Sequence, residues 1–262
     1  MPASRWAIVL AVGLGMVATT AWARPYEPVM DPANFVAGID HLYLPYAPGT
    51  TFLYEAETDE GLEVNEVYVT DQTKEIVGVT CMVIRDLVWV EGELREETYD
   101  WFAQDVVGDI WYFGEDSTEY NEDGSTSKEG SWEAGVDGAL AGVLMPGDPQ
   151  PGLTYQQEYY EDVAEDTAKV LRPNATASVA YGDFEDCLVT KEWTPLAPGE
   201  VEHKVYAPGV GLVLVRELKG PTVRVELIDV TAGPAMPGAA LPEPAILSLM
   251  AIGGLALIRR RR

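Results

Sequence analysis

The chain has 262 residues, with 43 acidic against 17 basic side chains and a formal net charge of −26. Such a surface repels nucleic acid and anionic lipid, so a nucleic-acid partner is excluded at the outset. Two cysteines and two histidines, with no His-x-x-x-His or Cys-x-x-Cys spacing, argue against zinc.

Ser4-Arg5 is a basic start, 6–17 is apolar, and Ala21-Trp22-Ala23 fits a small-x-small cleavage pattern. The pattern predicts export by the Sec machinery and removal of 1–23 by signal peptidase at Ala21 and Ala23. An uncleaved N-terminal anchor is the alternative. The stretch 24–40 is a proline-rich lead-in, with one short helical turn over 31–35. Pro48-Gly49 is a turn signal feeding a strand at 50–58. Strands are then predicted at 62–70, 79–90, 94–103 and 109–114. In 79–90, Val79, Cys81, Val83, Leu87 and Trp89 share one face, and Met82, Ile84, Val88 and Val90 the other. A strand apolar on both sides is central.

A hairpin tip falls at 121–125. The glycine-rich, apolar stretch 132–147 reads as a long crossover packed on the sheet. Strand signals resume at 154–160, 164–171, 175–181, 187–193, 201–206, 212–218 and 222–229. In the last, Val223, Val225 and Leu227 point inward and Arg224 and Glu226 outward. No helical period of useful length occurs between 36 and 230. Short strands with turn signals about every 8 to 12 residues predict an all-β body over 24–230, an antiparallel sandwich, barrel or half-barrel, as one domain or two. A Pro/Gly/Ala tether follows at 231–241. A signal helix precedes this body, and a short C-terminal transmembrane helix follows it.

The tail, 242–262, has three parts: Pro242-Glu243-Pro244, an uncharged apolar run at 245–258, and four arginines at 259–262. As a helix the run rises about 21 Å, short against a hydrocarbon core of roughly 30 Å. Arginines resist translocation and keep the C-terminus in the cytoplasm. The prolines stop the helix from extending backwards. A buried amphipathic helix with a basic end is the alternative. This arrangement resembles the PEP-CTERM sorting signal, on Pro242, Glu243, Pro244, the short span, and Arg259, Arg260, Arg261 and Arg262. The resemblance implies recognition and cleavage by an exosortase. It also implies transient anchoring in the inner membrane with the β domain outside the cytoplasm, release to the cell surface or matrix, and association with extracellular polysaccharide. The two ends hold five of the 17 basic residues and one of the 43 acids, so the body carries 12 against 42, a net −30. Segments 44–52, 111–115, 130–135 and 206–213 resemble a set of exported bacterial β proteins without an assigned activity, which supplies no site.

Residues with chemistry are few. Cys81 and Cys187 lie in strand-like segments and could form a disulfide in an oxidising compartment, or stay as buried thiols. His41 lies near a proline-rich turn and His203 on a strand, neither beside a nucleophile. Asp137, among apolar neighbours, is either a buried acid of raised pKa or a turn cap. Acidic clusters at 116–123 and 158–166 read as loose calcium cages or as solvated loops. Trp89, Trp101, Trp111, Trp132 and Trp193 form either a sugar-stacking platform or core. No catalytic, cofactor or metal residues emerge. The expectation is a non-enzymatic acidic surface or matrix protein contacting polysaccharide. A carrier of an apolar ligand in a half-barrel is the alternative, and a hydrolase with paired carboxylates comes third.

Overall fold

A computed structural model describes residues 26–121, 123–218 and 223–233. The signal-cleavage residues Ala21 and Ala23, the apolar run 245–258, and the sorting residues Pro242, Glu243, Pro244 and Arg259 to Arg262 lie outside the described residues. No described helix is long and apolar enough to cross a membrane.

The described body is all-β. A short 3₁₀ turn, Pro32–Asn34, is capped by the Asp31 side chain, which accepts from the Ala33 N–H at 3.0 Å. The strands are β1 (Phe35–Val36), β2 (Thr50–Thr58), β3 (Gly61–Ile76), β4 (Val79–Val90), β5 (Glu93–Asp105), β6 (Ile110–Tyr120), β7 (Thr126–Ser127) and β8 (Trp132–Glu133). After these come β9 (Leu140–Met145), β10 (Thr154–Gln156), β11 (Glu158–Tyr159) and β12 (Thr167–Val179). The last four are β13 (Gly182–Trp193), β14 (Val201–Ala207), β15 (Gly211–Glu217) and β16 (Arg224–Ala232).

They form one sheet in the order β10-β12-β13-β14-β15-β16-β2-β3-β4-β5-β6-β9-β11, with β1 on β5 and β7 and β8 on β6. Named strand pairs are antiparallel. β9 and β10 come together, so the sheet nearly closes into a barrel. Closure removes the unpaired edges that an open sheet would leave.

β4 is central, as its two apolar faces predict, and Val223, Val225 and Leu227 are buried as expected. Two expectations are corrected. The stretch 132–147 is no crossover loop, because it supplies β8 and β9, which pair with β6. Without them the buried backbone groups of Ile110 to Tyr112 would lack partners. The predicted strands 164–171 and 175–181 are one strand, β12, with irregular register at Val170/Arg172, Arg172/Ala175 and Ala175/Ala177. Bulges there absorb Pro173 and the left-handed Asn174 (φ 56°) without ending the strand.

The disulfide is also corrected. Cys81 and Cys187 are buried, free thiols. β14, β15, β16, β2 and β3 lie between their strands in the sheet. Both side chains project from the outward face, Cys81 with Val83 and Cys187 with Val189, and outward faces of distant strands cannot meet. Each thiol instead lies 3.7 Å from a carbonyl of its own strand segment, Val79 or Glu185.

The lead-in covers the outward face of β5 and β6. Phe35 sets its ring 6.2 Å from Trp111 and 5.6 Å from Phe113, both edge-on.

Candidate functional site

Strand register builds a polar interior. On β4, Asp86 faces the same way as Ile84 and Val88, and pairs across to Thr98 of β5 while Ile84 pairs to Asp100. On β6, Ser117 stands opposite Thr98 and Glu115 opposite Asp100. Asn65 of β3 joins this face, donating its amide to the Asp86 carboxylate and to the Leu87 carbonyl. The Glu96 carboxylate accepts from the Thr98 hydroxyl at 2.8 Å and from the Ser117 hydroxyl at 2.7 Å.

One phenol serves two acids. The Tyr112 hydroxyl is 2.6 Å from Asp100 Oδ1 and 2.9 Å from Glu115 Oε2. A phenol has one proton to give. With both carboxyls ionised, one short contact would oppose two lone pairs. The second proton comes from Asp100, whose pKa is raised, first by burial and then by the charge of Asp86. Burial, with Glu96 as the next cause, pushes Asp86 up to about 7.

The opposite wall is built by β12 to β15. Lys204 holds Glu192 at 2.9 Å and Glu202 at 3.1 Å. Glu192 also accepts from the hydroxyls of Thr190 at 2.7 Å and Tyr206 at 3.2 Å. Two carboxylates raise the Lys204 pKa well above its ordinary value against the opposing effect of burial. Glu217, next to Glu202, is pushed up to about 7, mainly by burial. Tyr155 of β10 leaves a buried hydroxyl without a hydrogen-bond partner.

Tyr46 lies within electrostatic reach of both walls. Tyr46 packs between Phe52 (6.1 Å) and Phe102 (6.0 Å). Its raised pKa comes mostly from burial, but Asp100 and Asp86 on one wall raise it and Lys204 on the other lowers it. The hydroxyl therefore feels both walls. The Lys204 side chain keeps 27% of its surface accessible. The aromatic floor continues from Phe102 to Tyr112 (4.7 Å) and from Tyr112 to Trp132 (5.3 Å, edge-on). Trp132 keeps its buried indole N–H unpartnered.

The residues singled out in sequence lie elsewhere. His41 is clamped, its Nε2 donating to the Pro146 carbonyl and its Nδ1 accepting from the Tyr43 N–H, both at 3.1 Å. Burial lowers its pKa and keeps it neutral. His203 lies on the outward face of β14. Asp137 is exposed, in a left-handed turn position (φ 50°), not buried. Asp116 pairs with Lys128, and Asp123 accepts from Ser125. Among the described residues no three His, Cys, Asp or Glu side chains converge as a metal site would require. Trp101, Trp111 and Trp132 are core. The interior acids Asp86 and Asp100 went unremarked. The signal for Asp86 was there, as a lone carboxylate inside the apolar face of Ile84 and Val88.

No family model matches this chain. No curated protein matches it. Among solved structures, the chain is similar to that of a candidate lipoprotein from Parabacteroides distasonis, at 12% identity over 73% of this chain and 99% of that one, with a TM-score of 0.34.

Proposed function

We propose that this is an exported, non-enzymatic binding protein whose barrel interior takes a ligand rich in hydroxyl and amine groups, such as an amino-sugar oligomer. The supporting observation is the pair of polar walls on the inward face of the strands. Carboxyls and hydroxyls predominate on both, and Lys204 is already held by Glu192 and Glu202. Raised pKa values at Asp86 and Asp100, set by burial and by neighbouring carboxyls, mark groups short of positive charge. A ligand ammonium would supply it, and the tyrosine and tryptophan floor would pack against a sugar ring. An apolar ligand would leave these charges desolvated, which is costly.

Export rests on the N-terminal pattern and on the tail. In this reading an exosortase reads Pro242-Glu243-Pro244 after the arginines stop transfer, and the barrel acts at the cell surface or in the matrix. The tether leaves just beyond Gly233, whose N–H donates to the Gly49 carbonyl at 2.9 Å. Calorimetric titration with glucosamine oligomers, neutral maltooligosaccharides and fatty acid tests the ligand class. Glucosamine oligomers should bind, and Glu192→Gln should weaken them. Fatty acid binding with no response to either sugar would overturn the reading.

A further inference from the structure

The outward face of the same wall carries a different pattern. Register places Lys169 of β12 opposite Lys191 of β13, Lys191 opposite His203 of β14, and His203 opposite Arg216 of β15. These residues alternate with the interior set, so the row and Lys204 point to opposite faces. Arg172 lies beside the row. Burial lowers the His203 pKa, and each charged neighbour acting on it, Lys191, Arg216 and Arg172, lowers it further. The local potential is therefore positive, in a body that carries 42 acids against 12 bases.

Ion pairing does not quench it. Lys74, Arg85, Lys128, Lys204 and Arg224 each hold a carboxylate. Among the described residues, Lys169, Arg172, Lys191 and Arg216 form no salt bridge. Like charges set directly opposite one another destabilise a sheet. Nothing in the fold requires this row, and abundant acids were available to neutralise it. Adjacent strands lie about 4.8 Å apart, so the four residues run roughly 15 Å in a line across the strands. The half-buried ring of Trp193 lies alongside, with Lys191 Nζ 5.1 Å from its centroid.

We propose that this row is a docking track for a linear polysaccharide bearing carboxylate or sulfate groups, with about one sugar residue per strand spacing and Trp193 stacked against a sugar ring. The strand spacing is close to the length of one sugar residue in an extended glycan. The cations meet the acidic groups as charge-assisted hydrogen-bond donors. The accessible part of the Trp193 ring offers an apolar surface for a pyranose face beside the cations. The site stands independently of the interior ligand, since the two use opposite faces of the same strands.

The test uses the full chain in non-ionic detergent held below its micelle concentration, titrated with oligogalacturonate, maltooligosaccharide, a single-stranded oligodeoxynucleotide of matched charge, and anionic phospholipid vesicles. Oligogalacturonate should bind at low salt and weaken linearly in log–log form as salt rises. Lys191→Gln with Arg216→Gln should weaken it roughly tenfold or more, a loss set by two lost charge contacts. Trp193→Ala should weaken it as well. Lys128→Gln and Asp86→Asn should leave it unchanged, which separates this site from the interior one. Circular dichroism confirms that each variant is folded, and Lys169→Gln with Arg172→Gln tests the same row should the first pair fail to fold. Three results would overturn the proposal: no binding of oligogalacturonate, equal binding of the oligonucleotide or vesicles, or binding that folded row variants leave intact.

Discussion

Asp86 is the residue where packing, protonation and binding meet. Its carboxyl has an ordinary pKa of 3.8 and is pushed up to about 7 in the fold, chiefly by burial. Between those values the native state keeps a proton that the unfolded chain has released. The stabilising contribution is therefore fully present below the unfolded value and is lost as pH rises through about 7. The loss is on the order of 4 kcal/mol. Urea unfolding of Asp86→Asn, whose amide oxygen can still accept from Asn65, should show a flatter pH dependence than the parent between acid and neutral conditions. Parallel curves would mean that Asp86 is ionised throughout. Tyr112→Phe should destabilise by about 1–3 kcal/mol at neutral pH, because Glu115 loses its donor and the Asp100 carboxyl its acceptor. The thiols give a control that is free of charge effects. Burial raises the Cys81 pKa to about 12, so native protein should resist a thiol reagent at mild alkaline pH and react at both cysteines once unfolded. None of this was legible from composition. Forty-three acids in the chain mask the few that matter, and only the pairing of Asp86 with Thr98 and of Asp100 with Glu115 gathers residues from three strands onto one face.

At the scale of elements, the sequence reading worked where a strand carries its own signal. Turn residues and two-faced apolar content marked β2 and β4 to their ends. It failed where an element exists only because of its neighbour. β8 has two residues and no periodicity to read, and it forms because β6 offers it backbone partners. Gly114 of β6 permits that approach. Its φ is +128°, and a Cβ there would fall 2.2 Å from the Trp132 carbonyl oxygen. Gly114→Ala should thus part β8 from β6, remove Trp132 from its place against Tyr112, and destabilise by more than an ordinary surface change, about 3 kcal/mol or more. Tryptophan fluorescence should shift to the red in the folded variant. An unshifted spectrum with unchanged stability would show that the strand pair adapts at little cost. The outward cationic row is a second case of dependence on neighbours. Lys169, Lys191, His203 and Arg216 are scattered in the chain and become a line only through three strand registers.

The whole molecule is held shut by its last strand. β16 pairs with β15 on one side and with β2 on the other, so it joins the first long strand to the C-terminal half. Its partners extend to Ala232 opposite Thr50, and Gly233 adds one bond to Gly49. β16 thus takes in Thr231 and Ala232, which the sequence assigns to the tether, and a cut in 234–244 removes no described contact. A chain ending at Gly233 should melt within a few degrees of the full chain, about what a change under 1 kcal/mol produces in a body of this size. A chain ending at Leu218 loses β16 and uncovers the edges of β15 and β2, along with Leu227 from the core. It should fail to melt cooperatively and should aggregate through those edges. This asymmetry suits the proposed export route, in which the domain would survive loss of its tail and would be fully synthesised before it closes. Melting curves that matched for all three chains would show that β16 is dispensable. A chain ending at Gly233 that unfolds would mean that residues beyond it belong to the fold, and the proposed cleavage at Pro242-Glu243-Pro244 would then have to spare them.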